Sequence, residues 1–150
     1  TMWDDGNTIN VAKISDFGTL RNTALSKTLQ TSHVDNPTYQ APEVLAGQTY
    51  DSSADIYSFG VILWELLTQQ DYFEGMKWRF QLAQSVMDGV RPPIPQVDPL
   101  FGDYVCLIEE CWNSDPSQRP TCSEVLKRIS TLYLPPDDDG DVSQTTTTTT

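Results

Sequence analysis

Histidine is nearly absent from this sequence, with His33 the single copy. A metal cluster or catalytic triad built on paired imidazoles has no second histidine to draw on. Cysteine is scarce too. Cys106, Cys111 and Cys122 cannot all pair with one another, and no C-x-x-C spacing occurs. That argues against a disulfide framework or a zinc site and fits a reducing compartment. Positive charge is the next shortage: 9 Lys and Arg stand against 21 Asp and Glu, a net charge of -12. A nucleic-acid partner is disfavoured, because its phosphate backbone would be repelled. Long apolar runs are also missing. The densest, Phe59 to Leu67, is broken by Glu65 and falls well short of the roughly 20 residues that span a bilayer. The chain opens on polar residues, so neither a signal peptide nor a membrane segment is expected in it, and a cytoplasmic location follows for the chain or for the part of a larger protein that carries it.

What is present suffices for one domain: 150 residues, of which 38% are hydrophobic. Residues 1–134 read as that domain. Residues 135–150 read as a disordered acidic and Thr-rich tail, since Asp137, Asp138, Asp139, Asp141 and the terminal run of threonines offer nothing to bury. Val11, Ala12, Lys13 and Ile14 alternate as a short strand would. From Ser15 to Gln40 no periodicity is sustained, and a loop of that length inside a compact domain is commonly functional. Ala41-Pro42-Glu43-Val44-Leu45 predicts a helical turn with proline near its start, where the missing N–H costs nothing. Ser52 with Asp55 resembles a capping box. The helix it opens carries Ile56, Phe59, Leu63, Leu66 and Leu67 on one side, with Val61, Ile62 and Trp64 on others. A helix apolar nearly all round is expected to be buried on most faces. Trp64, Leu66 and Trp112 are assigned to the core.

Further along, Met76, Phe80, Ala83, Val86 and Met87 have helical spacing, with Gly89 as the stop. Arg91-Pro92-Pro93-Ile94-Pro95 forces an extended loop. Tyr104, Leu107, Ile108, Cys111 and Trp112 predict another amphipathic helix. Thr121-Cys122-Ser123-Glu124 forms a second capping box, opening a helix with Val125, Leu126, Ile129 and Leu132 directed inward.

Four short motifs occur in a fixed order. Asp16-Phe17-Gly18 follows the strand, and Ala41-Pro42-Glu43 comes some twenty residues later. Asp55-Ile56-Tyr57-Ser58-Phe59-Gly60 opens the apolar helix. Cys111-Trp112 then leads through Asp115-Pro116 to Arg119-Pro120. In this order and at these separations they resemble the second half of a eukaryotic protein kinase domain, over residues 9–133, with the wording of the tyrosine-kinase-like serine/threonine branch. The resemblance implies a mainly α fold: the helical C-terminal lobe of a kinase, as a partial domain, preceded by the short strand.

It also implies roles. Asp16 matches the aspartate that chelates the Mg²⁺ bridging ATP phosphates, which makes ATP and Mg²⁺ the cofactors of the complete domain. Phe17 packs between lobes at that position, and Gly18 permits backbone angles a side chain would forbid. Residues 15–40 resemble the activation segment, with Thr23, Ser26, Thr28, Thr31 and Ser32 as hydroxyls open to phosphorylation, and Thr28, Thr31 and Ser32 favoured because they lie mid-loop. Asn36, Pro37, Thr38 and Tyr39 fall where the family docks its protein substrate, although Asp35-Asn36 replaces the usual Gly-Thr. Glu43 and Arg119 match a buried structural ion pair, and Asp55 the residue that holds the catalytic loop.

No catalytic residue is expected in the chain itself. The glycine-rich loop, the strand lysine and its helix glutamate, and the H-R-D loop precede D-F-G in the family, and none occurs here. The chain therefore reads as the C-terminal portion of a protein kinase, inactive alone, with the N-lobe and catalytic loop of its parent as partners. Part of the cover of the Ile56–Leu67 helix would come from a family helix upstream of D-F-G. The alternative is a pseudokinase or scaffold lobe acting as a protein-binding module.

Overall fold

A computed structural model of the chain describes residues 13, 15, 37–76 and 78–132. All regular structure among them is helical, as expected for a kinase C-terminal lobe. The strand expected over Val11 to Ile14 lies outside them except for Lys13, which is exposed. The tail beyond residue 132 is outside them as well.

A 3₁₀ turn, Pro37–Tyr39, leads directly into helix α1, Pro42–Leu45. Proline occupies the first turn of α1, and Gly47 in the left-handed region, at φ +65°, closes it. Helix α2, Ser53–Thr68, is the longest element. Its cap differs from the expected one. Ser52 is already in the right-handed helical region and its side chain caps nothing. The carboxylate of Asp51 accepts the Ser53 N–H at 2.8 Å instead. A carboxylate one residue earlier reaches the orphan donor and adds negative charge at the positive end of the helix dipole.

Helix α2 buries Ala54, Tyr57, Val61 and Trp64 at helical spacing, together with Gly60 and Leu63. Contrary to the expectation of burial on most faces, Ile62 is 42% and Leu66 60% exposed. One apolar strip of α2 therefore faces away from the packed helices of the described structure. The packed face is tightest at Gly60. A Cβ built there would lie 2.8 Å from Cys111 Cβ and 3.1 Å from the Trp112 backbone nitrogen. Glycine lets α2 close directly on α4, Gly102–Cys111, and this pair forms the main helix packing of the lobe.

Helix α3, Arg79–Met87, ends as the sequence suggested. Gly89 takes φ +79°, and Val90 N–H reaches back to the Ser85 carbonyl at 2.9 Å. Its inward residues are Leu82 and Val86, whereas Phe80 is 76% exposed and Met76 precedes the helix. The apolar spacing of Met76 and Phe80 was misleading because the helix starts three residues after Met76. Helix α4 buries Leu107, Ile108 and Cys111, and burial pushes the Cys111 thiol up to about 11.

Helix α5, Cys122–Leu132, opens with the expected capping box. The Thr121 N–H donates to Glu124 at 2.7 Å, and the Glu124 N–H donates to the Thr121 hydroxyl at 3.3 Å. Of its four expected inward residues Val125 is buried and Ile129 half-buried, while Leu126 is 66% exposed. Leu132 is exposed at the end of the helix. An Arg128–Glu110 ion pair ties α5 to α4. The common core holds Tyr57, Val61, Val86, Leu107, Ile108 and Cys111, all fully buried.

Candidate functional site

Glu43 and Arg119 are 76 positions apart in sequence, and the fold brings them together. Arg119 Nη1 donates to Glu43 Oε1 at 2.6 Å and Nη2 to Oε2 at 2.8 Å, a two-pronged pair between buried side chains. The guanidinium is engaged further: Nε donates to the Asn113 carbonyl at 2.8 Å and Nη1 to the Ser53 carbonyl at 3.0 Å. Its carbon also lies 5.2 Å from the centre of the Tyr57 ring. One side chain thus joins α1, the first turn of α2 and the turn after α4. Pro42 and Pro120, next to the two charged residues, restrict the local backbone on both sides. Beside the pair, Thr49, Tyr50, Asp51, Ser53 and Pro116 line a shallow cleft of about 270 Å³ that Glu43 also borders.

The second cluster surrounds residues 37–39, the described part of the segment expected to dock substrate. Pro37 is buried, and Thr38 and Tyr39 are half-buried against α2 and α3. Tyr39 is held at both ends by α2. Its carbonyl accepts the Ser58 hydroxyl at 2.6 Å, and its phenol donates to Glu65 Oε2 at 3.1 Å. The other Glu65 oxygen, Oε1, accepts the Tyr72 backbone N–H at 3.0 Å. Burial, then the hydrogen bond and charge of Glu65 and the charge of Asp71, raise the Tyr39 phenol above its ordinary value. It stays protonated, and therefore a donor, at neutral pH.

A third cluster has no sequence signal that foretold it. The phenol oxygens of Tyr57 and Tyr72 lie 3.3 Å apart in the core, and burial raises both above the ordinary tyrosine range. Tyr72 meets Trp64 and Phe73 edge-on. Arg91 approaches the Tyr57 ring at 5.1 Å. It also donates to the carbonyls of Trp112, Val86 and Val90 at 3.1, 3.1 and 2.8 Å and to the Ser114 hydroxyl at 3.1 Å. The end of α3 is thereby tied to the end of α4. In sequence Arg91 is one cation before a proline run, and nothing local announces four acceptors.

Asp55 stands exposed in the first turn of α2, and its carboxylate makes no hydrogen bond or ion pair among the described residues. Asp16, Phe17 and Gly18, the hydroxyls of Thr28, Thr31 and Ser32, and Asn36 lie outside the described residues. Among the described residues no three of His, Cys, Asp and Glu come together as a metal site, and Asp16 alone would offer a small part of the roughly six oxygens that Mg²⁺ takes. No helix of the described residues is long and apolar enough to cross a membrane.

Comparison with known proteins agrees with this architecture. A family model described as the protein kinase domain matches residues 2–129. Three relatives come from Dictyostelium discoideum. "Probable serine/threonine-protein kinase roco8" is 40% identical over 123 residues, covering 81% of this chain and 6% of that protein. "Probable serine/threonine-protein kinase pats1" is 42% identical over 125 residues, 82% of this chain and 4% of that protein. "Dual specificity protein kinase pyk3" is 38% identical over 120 residues, 80% of this chain and 9% of that protein. The chain thus spans less than a tenth of the length of each of these relatives.

Proposed function

The chain belongs to the protein kinase family, and we propose that it is the C-terminal portion of a kinase that transfers the γ-phosphate of ATP to serine or threonine hydroxyls of proteins in signal transduction, with tyrosine as the alternative acceptor. The observation that carries this reading is the buried Glu43–Arg119 pair, which links the Ala-Pro-Glu segment to the Arg-Pro segment across the lobe. It supports the alignment from which the remaining roles follow. In that alignment Asp16 binds Mg²⁺, with Phe17 and Gly18 beside it. ATP and the ion supply the transferable phosphoryl group and neutralise its charge. Asn36, Pro37, Thr38 and Tyr39 receive the protein substrate, a reading supported by the two bonds that tie Tyr39 to α2. Asp55 is left to hold a catalytic loop supplied by the parent. Residues 1–134 act as the kinase portion and 135–150 as a tail, in the cytoplasm or on the cytoplasmic side of a larger protein.

The 150 residues contain no glycine-rich phosphate loop, no lysine of the ATP site and no H-R-D base. Nothing in them orients the substrate hydroxyl or cradles the phosphates. The purified chain should show no phosphate transfer from Mg-ATP to a generic protein, while the complete parent should, and Asp16→Asn in the parent should abolish it. Turnover by the isolated chain, lost on Asp16→Asn, would defeat this reading. Phosphorylation of the activation segment is part of the proposal, since a phosphate adds about -1.5 to -2 charges that an upstream arginine would pair with. Alanine at Thr28, Thr31 and Ser32 together should lower the parent's activity, and unchanged activity would remove this regulation.

A second reading, a pseudokinase or scaffold lobe, is favoured by one feature: Asp35-Asn36 stands where the family's Gly-Thr belongs. A parent that binds partners through this lobe yet transfers no phosphate would decide for it.

A further inference from the structure

The chain carries 21 acidic side chains against 9 basic ones, yet Arg91 forms no ion pair among the described residues. Its four acceptors are all neutral: the carbonyls of Trp112, Val86 and Val90, and the hydroxyl of Ser114. The three carbonyls belong to the backbone and are chemically fixed. The hydroxyl is not. Ser114 is exposed, in the short connection between α4 and the 3₁₀ turn Pro116–Gln118, and its Oγ accepts Nη2 of Arg91 at 3.1 Å. Gly89, in the left-handed region after α3, comes against the same hydroxyl, which a Cβ there would meet at 3.6 Å. Ser114 Oγ therefore sits where the end of α3 meets the end of α4, with a guanidinium already beside it.

We propose that Ser114 is a phosphorylation site and that Arg91 receives its phosphate, fastening the end of α3 to the end of α4. A serine/threonine kinase with ATP supplies the group. Ser114 Oγ bonds to the γ-phosphorus as the bond from that phosphorus to the β–γ bridging oxygen breaks. ADP leaves, and the hydroxyl proton passes to the base of that kinase. One neutral acceptor becomes a group carrying about -1.5 to -2 charges, and the bond from Nη2 becomes charge-assisted. Two acids stand close in sequence, Asp88 before Gly89 and Asp115 after Ser114. Asp88 already accepts from the Gln84 amide and Asp115 from Ser117. Both are exposed, so water and salt screen their repulsion. Ser117, the next exposed hydroxyl, is the poorer site, because it donates to the Asp115 carboxylate and a phosphate there would face a like charge. The site does not depend on the parent's own catalysis, since another serine/threonine kinase can place the phosphate.

The test has two parts. Phosphopeptide mapping by mass spectrometry, on the complete parent isolated from the cells that make it, should find phosphate on Ser114; a map with none there overturns the proposal. The second part compares the complete parent carrying phosphoserine at 114, incorporated during synthesis, with the unmodified protein. The amides of Gly89, Val90, Trp112 and Asn113 close the ends of α3 and α4. Their hydrogen exchange should slow about tenfold on phosphorylation, the scale of one hydrogen bond to a charged group. The slowing should shrink as salt rises from about 0.05 to about 0.5 M, as an exposed ion pair requires. In Arg91→Met the same phosphate should bring no slowing, each comparison being made within one background. Should Arg91→Met fail to fold, Arg91→Lys keeps a charge and loses the fork, and the slowing should be smaller than in wild type. No slowing in the phosphorylated wild type overturns the proposal, as does equal slowing in Arg91→Met, or in Arg91→Lys where that variant stands in.

Discussion

Arg119→Met removes the cation of the buried pair while keeping an unbranched apolar stem of similar reach. The structure sets what is lost. Two hydrogen bonds to Glu43, one to the Asn113 carbonyl and one to the Ser53 carbonyl disappear. Glu43, 6% exposed, is left as a charge with neither solvent nor partner. Removing one member of a buried pair costs about 3–5 kcal/mol, mostly from the stranded charge. Set against a typical domain stability of about 5–15 kcal/mol, that is a large fraction. Glu43→Gln leaves a neutral acceptor facing Arg119 and should cost less on the Glu43 side. The informative comparison is the double variant Glu43→Gln, Arg119→Met. With no ion left to strand, it should be clearly less destabilised than the sum of the two single changes, by about 1–3 kcal/mol. Denaturant unfolding of the parent kinase domain, followed by tryptophan fluorescence, gives these values, because Trp64 and Trp112 are buried in the same core. Strictly additive single changes, or an Arg119→Met cost below about 1 kcal/mol, would refute the reasoning. Should Arg119→Met fail to fold, Arg119→Lys keeps the charge and loses the fork, and its smaller cost tests the same pairing.

Gly60→Ala should destabilise by about 1–3 kcal/mol, because the added Cβ meets Cys111 Cβ and the Trp112 backbone rather than a flexible side-chain end; a lowered thermal midpoint checks it, and an unchanged one contradicts the close α2–α4 approach. The isolated chain should bind a dye such as ANS through the exposed Ile62 and Leu66 of α2; a sharp cooperative melt without dye binding would count against an uncovered face. Glu124 is held below its ordinary carboxylate value, first by the Thr121 backbone N–H and then by its hydroxyl. The sign follows: its contribution to α5 is full above the unfolded carboxylate value and is lost as pH falls through the depressed folded value. Protection of the amides in the first turn of α5, taken relative to their intrinsic exchange rate at each pH, should accordingly fall in acid, and Glu124→Gln should flatten that dependence; an equal acid response in the variant would assign it to other groups.

The sequence by itself determined whatever depends on near neighbours along the chain. The proline at the start of α1, the Thr121–Glu124 box and the glycine after α3 are each settled within a few residues, and each stands where the chain alone placed it. The order and separation of the four motifs determined the family in the same way, and with it the meeting of Glu43 and Arg119. Short-range signals were ambiguous where two residues competed for one role, as when the Asp51 carboxylate rather than the Ser52 hydroxyl took the Ser53 N–H. Tertiary structure decided the rest. Leu66 and Leu63 are equally apolar in sequence, yet one is 60% exposed and the other 4%, because only one of them faces the helices packed on α2. The partners of Glu65 and Arg91 were likewise out of reach. Glu65 interrupts an apolar run and Arg91 precedes a proline loop, but their partners lie 7 to 26 positions away for Glu65 and up to 23 for Arg91. A polar side chain inside a fold takes its role from whichever donors and acceptors the packing brings to it, and chain order carries no record of that until α2, α3 and α4 have closed around it.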